Sequence, residues 1–186
     1  EGPPLRRTVV FLANTAEEKG LLGAEYFARN QTLPEHKIVA NINLDMPVLT
    51  YDFQDVVVFG GDRSSIRQAI RFAAEQMDLS VGEDPFPEQG IFTRSDHFRF
   101  VEIGVPSVML ATGMANGGEK AWADHFANNY HQPSDDMDND IDFDAAAKFA
   151  ELKTRITLEV ANVDQRPLWN KGDFFARKFS GPMDDQ

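Results

Sequence analysis

The chain has 186 residues, 42% hydrophobic and 26% charged, which suits one globular domain with a substantial core and argues against general disorder. Its net charge of −12 disfavours nucleic-acid and anionic-membrane partners, and no apolar run approaches the roughly 20 residues that span a bilayer. The absence of cysteine removes disulfides, thiolate zinc sites and cysteine nucleophiles, so any metal must sit on Asp, Glu and His, the donors of catalytic sites.

The opening Glu1-Gly2-Pro3-Pro4-Leu5-Arg6-Arg7 carries no apolar signal stretch. Thr8 to Ala13 is β-branched and aromatic without alternation, which predicts a buried strand. A loop through Thr15-Ala16-Glu17-Glu18-Lys19-Gly20 follows, then helix-forming residues from Leu21 to Arg29, with Pro34 closing the next connection. Ile38 to Leu44 predicts a second strand with Asp45 at its end, and Val56-Val57-Val58-Phe59 a third, ended by Gly60-Gly61. Ser64 or Ser65 is placed to cap a helix through Met77, with Ile66, Ile70, Phe72 or Ala73, and Met77 at approximate helical spacing.

Gly82 to Arg94 is rich in Pro, Gly and acid and predicts a loop; Ser95 is placed to cap a short helix through Val101. Ser107-Val108-Met109-Leu110-Ala111 predicts a buried strand, and Thr112 to Asp142 a long functional loop. Phe149, Leu152, Ile156, Val160 and Val163 mark the stripe of a long helix, and the aromatic tail with Trp169 and Phe174-Phe175 is expected to pack on the domain. Strands alternating with helices imply a layered α/β sheet with function at the strand C-terminal ends.

Adjacent carboxylates such as Glu17 and Glu18 repel unless something positive sits beside them, and a divalent metal does this while giving them separate tasks. Glu18 would bind the metal and Glu17 would act as general base; a solvated helix start accommodates the same pair. Asp45 ends an apolar strand, where a charge is expensive unless paired or bound, although a turn aspartate ahead of Pro47 reads equally well. His131 stands in a long loop as Tyr130-His131-Gln132-Pro133-Ser134-Asp135, either as a ligand or as an exposed histidine. His97, within Arg94-Ser95-Asp96-His97-Phe98, is also explained by a capped helix start; His36 and His125 have no supporting context. The acidic run from Asp135 to Asp142 fails the EF-hand pattern, since Ile141 replaces the turn glycine and Ala147 the final glutamate.

Taken in order, Asn14-Thr15-Ala16-Glu17-Glu18-Lys19-Gly20-Leu21-Leu22-Gly23, Asn43-Leu44-Asp45-Met46, Ser95-Asp96-His97-Phe98 with Gly104-Val105-Pro106, and Tyr130 to Asp135 resemble the zinc aminopeptidases of metallopeptidase family 28. The resemblance runs from about Thr8 to the last long helix. It implies a three-layer α/β/α sandwich with a mixed, mostly parallel sheet, of which residues 1–186 would be a C-terminal portion with the N-terminal part of the domain missing. It also implies two zinc ions, with Glu17 as general base, Glu18 and His131 as ligands of one ion, and Asp45 as a ligand of the other. The family's first ligand histidine and bridging aspartate have no counterpart, because no His precedes His36 and no Asp precedes Asp45.

Asp96 and His97 are placed as supports of the substrate pocket and Asp135 as a partner orienting His131. The implied reaction is hydrolysis of N-terminal peptide bonds by an exported parent, periplasmic or extracellular, acting on peptides with a free N-terminus. The isolated chain is expected to bind zinc weakly, to be inactive and to self-associate through an uncovered face. The alternatives are a glutaminyl cyclase-like single-zinc transferase and a non-catalytic interaction domain of the same fold.

Overall fold

The computed structural model describes residues 4–30, 32 and 37–184; Glu1 to Pro3, Pro34 and His36 lie outside them. The helices are α1 (Leu22–Arg29), α2 (Ile66–Glu75), α3 (His97–Val101), α4 (Gly118–Asn128), α5 (Phe143–Asn162) and α6 (Phe174–Lys178). The strands are β1 (Asn41–Leu44), β2 (Asp55–Phe59), β3 (Ser80–Gly82) and β4 (Ser107–Thr112).

They form one mixed sheet in the order β1-β4-β2-β3. β1 runs parallel to β4 with Asn43 opposite Met109, β3 runs parallel to β2, and β2 opposes β4 with Val57 across from Ala111. The C-terminal ends of β1 and β4 therefore share one edge with the N-terminal end of β2. There the Asp55 carboxylate accepts from the backbone N–H groups of Met114 (3.2 Å) and Ala115 (2.9 Å), fixing the turn that leaves β4.

Strand alternation divides the core. Val56, Val108 and Leu110 pack against α2 and α5 through Ile66, Ile70, Phe149, Leu152 and Ile156. Val57, Phe59, Met109 and Ala111 face the other way, toward Val101 of α3, Trp122 of α4, Trp169 and Ala176 of α6. The result is a sheet between helical layers. α5 starts at Asp142, whose side chain accepts from the Asp144 and Ala145 N–H groups, a cap contributing about 1 kcal/mol. Each fully buried member of its stripe contributes about 1.5–3 kcal/mol relative to exposure.

Several expectations are corrected. Thr8 to Ala13 forms no strand: Val10 is 50% exposed and Phe11 95%. Its β-branched character does not suffice without a partner strand, and after the Arg7 N–H donates to the Ala161 carbonyl of α5 the chain continues as a largely exposed segment without regular secondary structure. β1 is shorter than Ile38 to Leu44; β3, for which no strand is expected, ends at Gly82, and the loop from Gly82 to Arg94 contains two single 3-10 turns, Pro87–Gln89 and Ile91–Thr93. The long loop after Thr112 contains α4, anchored by buried Trp122, whose indole N–H donates to the Thr112 carbonyl at 3.0 Å. In α2 the inward residue is Ala73, while Phe72 is exposed, and neither Ser64 nor Ser65 makes a side-chain cap; Ser65 Oγ accepts from the Leu168 N–H instead. The tail packs through Trp169, fully buried with its indole N–H on the Gly104 carbonyl at 2.9 Å, and through Phe175, while Phe174 stays 57% exposed.

Candidate active site

Glu17 and Glu18 lie in a single 3-10 turn, Glu17–Lys19, entered through Ala16 in the left-handed region (φ 57°) and left through Gly20. The turn is held by the Leu21 N–H on the Glu17 carbonyl (2.8 Å) and by the Gly23 N–H on the Thr15 carbonyl (3.0 Å). Gly23 is required for this approach, since a Cβ there would lie 2.5 Å from the Thr15 oxygen. Arg99 of α3 closes the turn from outside, donating to the Gly20 carbonyl at 3.0 Å.

His131 reaches the turn from the opposite side. It too is left-handed (φ 57°), its ring stacks on Tyr130 at 3.8 Å, and its Nε2 meets Glu18 Oε1 at 2.7 Å. Two residues 113 positions apart in sequence thus converge on one point at the surface. Asp45 follows β1, and the next residue, Met46, is again left-handed (φ 44°). The Asp45 carboxylate accepts from Ser95 Oγ, which accepts from Asn43 Nδ2 at 2.8 Å. Asp96 accepts from Asn14 Nδ2 at 3.1 Å, tying the start of α3 to the segment before the glutamates.

The carboxylates act on one another. Partial burial raises the Glu17 pKa above the usual carboxylate range, the negative charges of Glu18, Asp45 and Asp96 raise it further, and His131 opposes them. Asp96 is raised by burial and by Asp45, while its Asn14 hydrogen bond pulls it down. Beneath them His97 is fully buried beside Phe92 (ring centroids 5.2 Å), with neither ring nitrogen in a hydrogen bond of ordinary geometry. Burial pushes its pKa down to about 4, so the ring is neutral at pH 7.

The structure brings Glu17, Glu18 and His131 together with Asp45 and Asp96 nearby. It leaves His97 below the site rather than on its surface. Asp135 is exposed and, among the described residues, no hydrogen bond or ion pair joins it to His131, whose partners are Glu18 and Tyr130. Ser95 was expected only as a helix cap; its side chain is spent on Asp45, and α3 has no side-chain cap. The Lys153 ammonium was not anticipated. It is buried in α5 and donates to the Asn43 carbonyl, with burial pushing its pKa down to about 7 and Asp45 pulling it up. A lysine four residues after Phe149 and three before Ile156 lies on the apolar stripe, and that position was the available signal.

The donor chemistry of Glu18 and His131 is that of a divalent-metal site, and their separation lets one ion replace the direct contact. The set is short in number: among the described residues no three His, Asp or Glu side chains gather closely enough to hold a metal. Met46 also lines a small apolar cavity with Phe86, Ile91, Met109, Met114 and Trp122, immediately beyond Asp45.

The family model for peptidase family M28 matches residues 1–157. The chain belongs to peptidase family M28. It is 29% identical over 151 residues to a probable leucine aminopeptidase 2 of Aspergillus oryzae (strain ATCC 42149 / RIB 40), covering 73% of this chain and 30% of that protein. A zinc aminopeptidase from Bacillus subtilis superposes with a TM-score of 0.58 at 23% identity, over 83% of this chain and 36% of the other. A glutaminyl cyclase from Porphyromonas gingivalis gives 0.52 at 20% identity, over 79% and 49%. The M28 chain thus has the fold of these enzymes and spans about a third of the length of the aminopeptidases it matches.

Proposed function

We propose that this M28 chain is part of the catalytic domain of a zinc-dependent aminopeptidase, whose whole protein releases the N-terminal residue of peptides. The observation that carries the reading is the meeting of Glu18 and His131, from distant segments, beside Glu17 and Asp45. Glu18 and His131 are ligands of one zinc ion and Asp45 of a second, with further donors completing each set. When bound, zinc polarises the scissile carbonyl and acidifies water.

Glu17 is the general base. It takes the proton of the attacking water and returns it to the departing amine, a role its raised pKa suits. The surrounding carboxylates attract the ammonium of a free N-terminus. The parent is exported to the periplasm or the medium.

The test is zinc stoichiometry together with hydrolysis of leucyl p-nitroanilide by the whole protein. Two bound zinc ions, with activity falling by at least about 10³-fold in Glu17→Gln while zinc is retained, is the expected result. Loss of activity that tracks loss of zinc in Glu17→Gln would refute the general-base assignment. The alternative reading, cyclisation of N-terminal glutamine, is met by one zinc per protein and ammonia release from a glutaminyl peptide without hydrolysis.

A further inference from the structure

The structure assigns Lys153 as a positioning residue that ties the C-terminal end of β1 to α5 and thereby sets the Asp45 carboxylate. Lys153 lies between fully buried Leu152 and Ile156 and is itself only 8% exposed. An ammonium among such neighbours is costly unless it finds an acceptor and a counter-charge. It finds both at one place: its Nζ donates to the Asn43 carbonyl, and Asp45 is the charge that acts on it favourably.

Asn43 joins two routes to the same carboxylate. Through the backbone it carries the pull of Lys153 two residues along β1 to Asp45. Through its side chain it donates to Ser95 Oγ at 2.8 Å, and Ser95 donates to Asp45. Lys153 thus fixes the strand end, and Ser95 fixes the carboxylate that the strand end carries. The arrangement has a physical need, because β1 is an edge strand among the described strands, only four residues long, and leads into left-handed Met46. Such a strand end frays unless something outside the ladder holds it. In its charged form Lys153 also offsets the mutual repulsion of Asp45 with Glu17 and Asp96 from below. Asp45 as a zinc ligand rests on the proposed function; its placement by Lys153 does not.

Two measurements on Lys153→Met in the whole protein separate these. Backbone hydrogen exchange of residues 41–46 is expected to accelerate by about tenfold or more, with α2 and the far strand β3 unchanged, because only the strand end loses its tether. Zinc affinity, read by competition with a chromophoric chelator, is expected to fall by about tenfold or more, and Lys153→Arg is expected to recover part of both effects. Unchanged exchange at residues 41–46 in Lys153→Met would overturn the assignment, as would uniform acceleration across the whole domain. Should Lys153→Met fail to fold, Lys153→Gln decides by the same exchange readout. If the wild-type protein binds no zinc, the metal reading fails while local exchange still judges the tether.

Discussion

His97 makes the fold sensitive to acid in a way that can be calculated. Its ring is fully buried, and its pKa falls from 6.5 to about 4 because burial penalises the charged form; the backbone of Phe92 pulls it partly back, and Lys153 pushes it down. The unfolded chain therefore binds a proton between pH 6.5 and about 4 that the folded chain refuses. Stability from this residue is full above the unfolded value and drains as pH falls through that window. A shift of that size corresponds to about 3 kcal/mol, most of which is lost between pH 7.5 and 4.5. The perturbation is His97→Phe, which removes the titration and keeps an aromatic ring beside Phe92. Urea unfolding of wild type and variant at both pH values gives the assay. Carboxylates titrate in both proteins, so only the difference in slope belongs to His97. Parallel losses in the two proteins, or the His97 imidazole resonance, identified by its absence from His97→Phe, titrating near 6.5, would refute the burial argument.

Trp169→Phe keeps most of the buried area but leaves the Gly104 carbonyl without its indole donor; urea unfolding should report a loss of about 1–3 kcal/mol. Gly60→Ala would set a Cβ 2.2 Å from the Phe92 ring at φ +82°, whereas Gly172→Ala, at φ +79°, meets nothing within 4 Å. Losses of about 2–4 and about 1 kcal/mol respectively are expected in the same assay, and equal losses would refute the steric part. Phe11, 95% exposed beside half-exposed Val10, is proposed to drive weak self-association; sedimentation should show a concentration-dependent rise in mass that Phe11→Asp removes, and a monomer at all concentrations would refute it.

β4 was legible because Ser107 to Ala111 is buried on both sides of the sheet, and a strand between two helical layers has no polar face to display. Thr8 to Ala13 has a similar composition and the opposite outcome, since burial depends on what lies alongside and no local pattern records that. α4 was hidden by its own sequence: Gly117-Gly118 announces a turn, and its buried residues are only Gly118 and Trp122. β3 is three residues long, below the length at which alternation carries information. At the site, the residue types and their order were legible, whereas the contacts were not. Ser95 reads as a cap from sequence, and only the fold shows its hydroxyl turned to Asp45.

That turn of Ser95 bears on how a carboxylate-rich edge is built at all. Glu17 and Glu18 sit on a solvent-facing turn, where water screens much of their repulsion, and Glu18 has His131 as a direct partner. Asp45 has less water and no such partner; its support comes from a serine hydroxyl, an asparagine amide behind it and a buried ammonium below. The two halves of the site are therefore prepared differently. The Glu18–His131 half is held by a direct contact of 2.7 Å between Nε2 and Oε1, which the proposed metal would have to displace. The Asp45 half is held by groups that leave one carboxylate oxygen outside the Ser95 bond. The asymmetry is between a carboxylate met directly by an imidazole at the surface and one held by a chain of hydroxyl and amide donors with a lysine behind it.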